Sequence, residues 1–206
     1  MGCTAQDVAG AVRAVAAVVA EHRVELIQLD RAIGDGDHGE NLDRGFKAVL
    51  AKLDESTPDT PGGVLKLVAT TLISKVGGAA GPLYGTAFLR ASTALGSVTE
   101  LGSAEVLEAL RAALGGVVAR GKAEVGDKTM VDALDPAVQA AEKEQSSVAA
   151  LLTAAADAAD AGAESTVPLV ARKGRASYLG ERSADHLDPG ARSSALLLRS
   201  FAESAS

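Results

Sequence analysis

Carboxylates and glycines are concentrated in one short stretch near the start of the chain, LDRAIGDGDHGENLDRGF (residues 29–46). Asp30, Asp35 and Asp37 lie close together in it, and the glycines around them favour a tight bend. Carboxylates brought to one point repel each other strongly unless a cation lies among them. Oxygen-only ligation is what a hard ion such as Mg²⁺ or Ca²⁺ prefers, so this pattern favours a metal site.

A phosphate is the ligand we expect beside such a metal. Mg²⁺ usually keeps coordination positions open for phosphate oxygens, which suggests a nucleotide. The spacing is not that of a calcium-binding EF-hand loop, which needs further oxygen ligands and a Glu at its end. The alternative is a solvated Asp-Gly turn with Asp caps. We favour the metal because His38 and Asn41 adjoin the three carboxylates.

A second loop, KVGGAAGPLYGTAF, resembles a phosphate cradle. Glycines followed directly by a helix expose unpaired backbone N–H groups to an anion, and the helix dipole adds to the attraction. The chain contains neither a P-loop nor a G-x-G-x-x-G between a strand and a helix. Close helix packing through small residues explains this loop about as well, so it is weak support on its own.

Two further loops, at residues 121–130 and 172–190, add positive charge to an acidic chain. Such clusters suit a polyphosphate or an acidic partner surface. A solvated basic loop is the simpler account of each arginine taken alone. The basic residues are Arg120, Lys122, Lys128, Arg172, Lys173, Arg175, Arg182 and Arg192.

Helical spacing of small apolar residues runs through nearly the whole chain. One helix face is predicted to continue from Val8 to Leu29, and Ser103 is the predicted N-cap of a later helix. Further helices are predicted at about 129–144, 147–171 and 190–203. With about eight helices, no convincing strand and no long linker, we predict one all-α domain over residues 1–206.

Composition excludes several classes of protein. The net charge of −7 argues against a nucleic-acid partner, whose phosphates require a basic face. The single cysteine, Cys3, rules out a disulfide framework, and we expect it in a frayed terminus. No run approaches the length of a bilayer span and no signal-peptide pattern opens the chain, so we expect a cytoplasmic protein without membrane contact.

Four motifs in one order resemble the nucleotide-binding L subunit family of dihydroxyacetone kinases. They are IGDGDHGENLDRGF, GGAAGPLYGT, RGKAEVGDKTMVDAL and ARKGRASYLGERSADHLDPGA, and the resemblance covers residues from about 25 to 193. It implies an antiparallel barrel of eight α-helices with a nucleotide, ADP or ATP, at one end.

The resemblance also implies roles for individual residues. Carboxylates that hold Mg²⁺, two ions in all, are Asp30, Asp35 and Asp37. Residues that contact phosphate or metal are His38, Gly39 and Asn41. The phosphate side of the site is lined by Gly78, Ala79, Ala80 and the helix start after Pro82. The adenosine side is formed by Gly121 and Met130. The lid over the nucleotide is formed by Arg175 and the turn Asp188-Pro189-Gly190.

Ala80 departs from the family pattern, because relatives commonly carry a serine in GGASGPL. A hydroxyl there could bond a phosphate oxygen, so its loss is expected to weaken nucleotide binding by about 1 kcal/mol. We expect changed affinity rather than lost activity, since backbone N–H groups carry most of that contact.

Partners follow from the resemblance as well. The family has a fused, ATP-exchanging form and a separate-subunit form, and a chain of 206 residues leaves no room for a substrate domain. In the separate form, bound ADP is rephosphorylated by a phosphotransferase-system M subunit and serves dihydroxyacetone on a K subunit. The group that activates dihydroxyacetone then belongs to the partner, and no catalytic residue is assigned here.

Two alternatives stay open at this point. One is a component of another kinase built on this fold, acting on a different short ketose or a fatty acid. The other is a regulatory or scaffold protein that binds nucleotide without turnover.

Overall fold

A computed structural model describes residues 2–205; Met1 and Ser206, the ends of the predicted domain, lie outside the described residues. Within that range the chain forms nine α-helices, one 3-10 segment and two very short strands. The elements are β1 (Cys3–Thr4), α1 (Ala5–Glu21), α2 (Arg23–Ile33), α3 (His38–Glu55), α4 (Pro61–Lys75), α5 (Ala80–Leu95), β2 (Glu100–Leu101), α6 (Ser103–Gly121), α7 (Val131–Lys143), α8 (Val148–Glu164), the 3-10 segment (Arg175–Ser183) and α9 (Pro189–Ser204). The all-α prediction is confirmed, whereas closure into a barrel and the single domain stay predictions.

Small aliphatic side chains form one connected core between the helices. Helices that follow each other in the chain pack together, as α4 does with α5 and α7 with α8, and α1 also packs against α9. The core borders an apolar cavity of about 180 Å³. Its walls include Tyr84, Met130, Leu134, Leu197 and Phe201.

The predicted continuous helix from Val8 to Leu29 is wrong, because it is broken at His22. His22 has φ −87° and ψ 6°, so α1 ends at Glu21 and α2 begins at Arg23. The backbone hydrogen bonds continue across the break, with His22 N donating to Val18 O at 2.9 Å. Apolar spacing therefore carries no sign of this break.

Two other helix limits also differ from prediction. The N-cap of α6 is Gly102, whose N–H donates to Glu105 Oε2 at 2.8 Å, and Ser103 is already helical. Helix α8 ends at Glu164 rather than near residue 171. Pro168 accounts for the early end, since the residue before a proline is disfavoured in a helix.

The chain start is paired rather than frayed. Cys3 and Thr4 form an antiparallel pair with Glu100 and Leu101, in the register Cys3 opposite Leu101. Thr4 then caps α1 in a capping box with Asp7. None of the helices within residues 2–205 is both long and apolar enough to span a bilayer.

Candidate functional site

The three aspartates predicted to bind metal lie together where α2 ends and α3 begins. One carboxylate oxygen from each of Asp30, Asp35 and Asp37 lies within 4.8 Å of the other two. Asp30 is in the last turn of α2, and the bend that follows passes through Gly36 at φ +76°, a conformation that favours glycine. The bend therefore returns Asp37 to a position beside Asp30.

Asp30 organises this bend through hydrogen bonds. Its Oδ2 accepts from Asp37 N at 2.8 Å and from His38 N at 3.1 Å, so it serves N–H groups at the start of α3. A Cβ at position 34 would overlap Asp30 Oδ1, which makes Gly34 necessary for this packing. Oδ1 makes none of these bonds.

Positive charge reaches the cluster from the predicted lid. Arg175, the first residue of the 3-10 segment, forms an ion pair with Asp35 at 2.9 Å. Among residues 2–205, no hydrogen bond is accepted by the carboxylate of Asp37. The cluster is thus compensated at Asp30 and Asp35 by neighbouring donors, while Asp37 remains available.

His38 directs one ring nitrogen into the protein. Its Nε2 lies 2.9 Å from Ser193 Oγ, and Tyr84 Oη lies 2.6 Å from the same oxygen. Ser193 Oγ also donates to Gly190 O at 3.1 Å, so it accepts from the other two groups and Nε2 carries the proton. His38 Nδ1 is then the ring nitrogen without a proton.

Burial determines the protonation states of His38 and Tyr84. Burial lowers the pKa of His38, although the charges of Asp30 and Asp37 oppose the shift, so the imidazole is neutral near pH 7. Burial also raises the pKa of Tyr84 to about 12, against the effect of its serine partners. His38 and Tyr84 are therefore neutral hydrogen-bonding groups.

The start of α5 faces the same cleft as the aspartates. Gly78, at φ +64°, leads into Ala79 and Ala80, and no side chain caps this helix. Its first N–H groups have no intrahelical partner and are available to an anion. An acidic cluster thus shares a cleft with a phosphate-type donor site.

The cleft between these elements has a volume of about 290 Å³. Its lining includes the three aspartates together with a group of apolar side chains. The apolar wall consists of Ile33, Leu83, Val117, Ala123, Met130 and Val131. The other residues of the predicted nucleotide site that line it are His38, Gly78, Ala79, Ala80, Gly121, Arg175, Asp188, Pro189 and Gly190. Tyr84 and Met130 also line the apolar core cavity, so they separate the two spaces.

Gly39 and Asn41 lie beside the cleft rather than in its lining. A Cβ at Gly39 would overlap Arg23 O, so this glycine allows α2 and α3 to approach closely. Asn41 is buried and its Oδ1 accepts from Arg44 at 2.6 Å. The ligand contacts expected of both residues stay predictions.

The basic residues of the two later loops do not form one solvent-exposed surface for phosphate. Lys128 is part of the cleft lining, but it is buried there and its ammonium donates to backbone carbonyls. Arg192 pairs with Glu25 at 2.6 Å, outside the cleft lining. Of the basic residues in the fourth loop, Lys173 and Arg175 are the ones that line the cleft.

Asp188 is a buried carboxylate that begins α9. Its Oδ2 accepts from Ala191 N at 2.8 Å, which caps the helix. Burial raises its pKa to about 7, although the Ala191 N–H group and the ammonium of Lys128 act in the opposite direction. The pKa of Lys128 is lowered by burial, and the charges of Asp188 and other nearby acids oppose that shift.

Sequence reasoning missed Asp132, which shapes the loop before α7. Its carboxylate accepts from Gly126 N at 2.5 Å and from Thr129 N at 2.7 Å. The stretch Thr129-Met130-Val131-Asp132 fits the [ST]-x-x-[DE] capping pattern and could have revealed it. No local pattern signals the buried contacts of Lys128 or of Tyr84.

Together, the fold and this cleft define a class of protein. It is all-α, and one cleft brings together an acidic cluster, the uncapped start of a helix and an apolar wall. Comparison with known proteins gives that class a name. The DAK2 domain family matches residues 32–203, and the chain belongs to this family.

Named relatives cover most of the chain. It is similar to the ADP-binding subunit DhaL of the PEP-dependent dihydroxyacetone kinase of Escherichia coli K12, with 46% identity over 180 residues and 86% of each chain covered. It is 40% identical over 185 residues to the ADP-binding subunit DhaL of the PTS-dependent dihydroxyacetone kinase of Lactococcus lactis, covering 90% of each chain.

A solved structure is similar as well. The dihydroxyacetone kinase from C. freundii in complex with AMP-PNP and Mg²⁺ superimposes with a TM-score of 0.72 at 31% identity. The match covers 96% of this chain but 33% of the kinase, so this chain spans about a third of that protein.

We expect Asp188 to make stability depend on pH. Its folded-state pKa of about 7 lies above the ordinary aspartate value of 3.8, so the unfolded chain loses its proton first as pH rises. Relative to Asp188→Asn, which keeps a good N-cap, the free energy of unfolding of the wild type should fall between about pH 4 and 7, by at most roughly 4 kcal/mol, and then level off. Urea unfolding of both nucleotide-free proteins measures the free energy of unfolding at each pH. Wild-type stability that rises relative to Asp188→Asn between about pH 4 and 7 would contradict a raised pKa for Asp188.

Proposed function

We propose that the cleft binds a magnesium-adenine nucleotide and that the chain is the nucleotide-binding subunit of a dihydroxyacetone kinase. In this role, bound ADP or ATP passes a phosphoryl group from a phosphotransferase-system M subunit to dihydroxyacetone held on a separate K subunit. One observation carries the proposal: three clustered carboxylates and the uncapped start of α5 line the same cleft.

The donor set fits a hard divalent cation. All three side chains offer carboxylate oxygen, which is the ligand type that Mg²⁺ prefers. Within the described part of the chain, the Asp37 carboxylate accepts no hydrogen bond that a metal would have to replace. We propose two ions shared among Asp30, Asp35 and Asp37. When bound, Mg²⁺ supplies neutralisation of phosphate charge.

The chain's own residues supply binding and orientation. The first N–H groups of α5 are available to phosphate oxygens, and the apolar wall that includes Leu83 and Met130 suits a purine ring. Arg175, at the mouth, brings a guanidinium that suits phosphate geometry. Phosphoryl transfer depends mainly on such positioning and charge neutralisation.

We assign no general base to this chain. The protonated nitrogen of His38 is engaged with Ser193, and Asp188 is buried as a helix cap. The group that activates the acceptor therefore belongs to the K subunit, and activity requires that partner.

The names of the relatives support the phosphoryl route. One is the ADP-binding subunit of a PEP-dependent kinase and another that of a PTS-dependent kinase. We extend that route to this chain, acting as one nucleotide-binding domain. Because phosphoenolpyruvate is a metabolite of the cytoplasm, the proposal places the protein there.

Asp37→Asn is the sharpest test of the metal site. It removes a charge without breaking a side-chain hydrogen bond, so folding should be unchanged while ADP affinity in the presence of Mg²⁺ falls at least about tenfold. Calorimetric titration with ADP, with and without Mg²⁺, measures the effect. Asp59→Asn, at an exposed site outside the cluster, is the matched control. ADP binding that is indifferent to Mg²⁺ and to Asp37 would remove the metal from the account.

The phosphoryl relay is tested by reconstitution. The chain, loaded with ADP, is mixed with its cognate K and M subunits, phosphoenolpyruvate and the general phosphotransferase proteins. We expect dihydroxyacetone phosphate to form only when the chain is present, and Asp37→Asn to slow its formation at least about tenfold.

Other results of the reconstitution identify the alternatives. Sustained turnover with free ATP in place of the M subunit would replace the proposed donor. Nucleotide binding without any product would favour a regulatory protein or a kinase for another acceptor.

A further inference from the structure

Lys128 is a fully buried lysine with an unusual set of partners. It is 1% exposed, and its backbone adopts the left-handed conformation at φ +63°. Its ammonium donates to the carbonyl oxygens of Thr166 at 2.8 Å, Leu169 at 3.0 Å and His186 at 2.5 Å. Val167 O, at 3.3 Å, is the weakest of the four, since an ammonium has only three N–H groups to share.

These carbonyls belong to both ends of one loop, residues 166–188, which leaves α8 and returns at the cap of α9. Two backbone groups join the same ends, since Asp188 N donates to Thr166 Oγ1 at 3.0 Å and Asp185 N to Val167 O at 2.8 Å. The ammonium of Lys128 therefore closes the base of loop 166–188.

The cleft depends on the position of this loop. Gly174 and Arg175 lie near its middle and line the cleft, and Arg175 forms the ion pair with Asp35. The loop ends at Asp188, where the turn that lines the cleft begins. A shift at the base of the loop would move both the guanidinium and the turn.

Filling space in the core does not explain why a lysine occupies this position. Burying an ammonium is costly, and an apolar side chain of similar size often serves a core equally well. A non-glycine residue at positive φ adds backbone strain, which persists where the surroundings require one conformation. The carbonyls of the loop, however, need a donor that reaches several of them at once, and lysine provides it.

We infer that Lys128 is a positioning residue of the nucleotide site, whose buried ammonium closes loop 166–188 and thereby holds Arg175 at the acidic cluster. Its effect on nucleotide binding rests on the proposed function. Its effect on the loop does not, so the two can be tested separately.

The first test uses hydrogen exchange of the nucleotide-free protein. Lys128→Met keeps the aliphatic length but removes the donors, so amides of residues 167–187 should exchange at least about tenfold faster. Amides in the middle of α4 report whether the core remains folded. Lys122→Met is the matched control, because Lys122 is exposed and also lies at positive φ, 50°. Unchanged loop protection in a folded Lys128→Met protein would overturn the inference.

A second test separates positioning from general stability through a double-mutant cycle in Mg·ADP affinity. We expect Lys128→Met and Arg175→Ala each to weaken binding about tenfold, and the double variant to be within about twofold of Arg175→Ala alone. A double variant whose loss of affinity equals the product of the two single losses would show that Lys128 does not act through Arg175, and would overturn the inference. If the wild type binds no Mg·ADP, the proposed function fails while the exchange result still decides the role in the loop.

Thr166→Val keeps the inference testable if Lys128→Met does not fold. It removes the hydroxyl that accepts from Asp188 N and leaves Lys128 in place. Exchange in residues 167–187 should rise with the α4 amides unchanged. A loop that keeps wild-type protection would show that its base does not control it.

Discussion

The carboxylate of Asp30, accepting two backbone N–H groups at the start of α3, is the interaction on which the rest of the site depends. These bonds fold the chain back after α2, so that the three aspartates approach within a few ångströms. The resulting repulsion is only partly offset, by backbone donors at Asp30 and by Arg175 at Asp35. The chain thus carries an acidic cluster that a divalent cation would complete.

Helix ends and the loops beside them provide most of the rest of the cleft. The start of α5 contributes free N–H groups, the loop before α7 contributes Met130, and the cap of α9 contributes the turn at Asp188. Small side chains and glycines allow the helices to lie close together, as at Gly39 between α2 and α3. A helical scaffold can therefore place backbone donors, carboxylates and an apolar wall around one volume.

Local sequence patterns predicted much of this arrangement. Apolar spacing predicted the helices, and the clustering of glycine with charge predicted the loops that line the cleft. The break at His22 was not predictable, because the helical spacing of apolar residues continues across it. The end of α8 at Glu164 could have been predicted from Pro168, because the residue before a proline is disfavoured in a helix. The roles of the site residues themselves still rest on the resemblance and on the geometry of the cleft.

Lys128 shows a second limit of prediction from the sequence, which concerns buried charged residues. Its sequence neighbourhood is polar and rich in glycine, which is typical of a solvated loop, yet its ammonium is buried among carbonyls some forty to sixty residues later in the chain. Such contacts arise only from the tertiary fold. Whether a basic residue faces a ligand or supports the backbone beside it therefore cannot be decided from charge clustering.

A crystal structure with bound Mn²⁺ and ADP, with an anomalous difference map to locate the manganese, tests the central claim most directly. The account predicts anomalous peaks within bonding distance of carboxylate oxygens of Asp30, Asp35 and Asp37, with the ADP phosphates adjoining the start of α5. Bound ADP with no metal peak at these carboxylates, or with its phosphates away from α5, would contradict it.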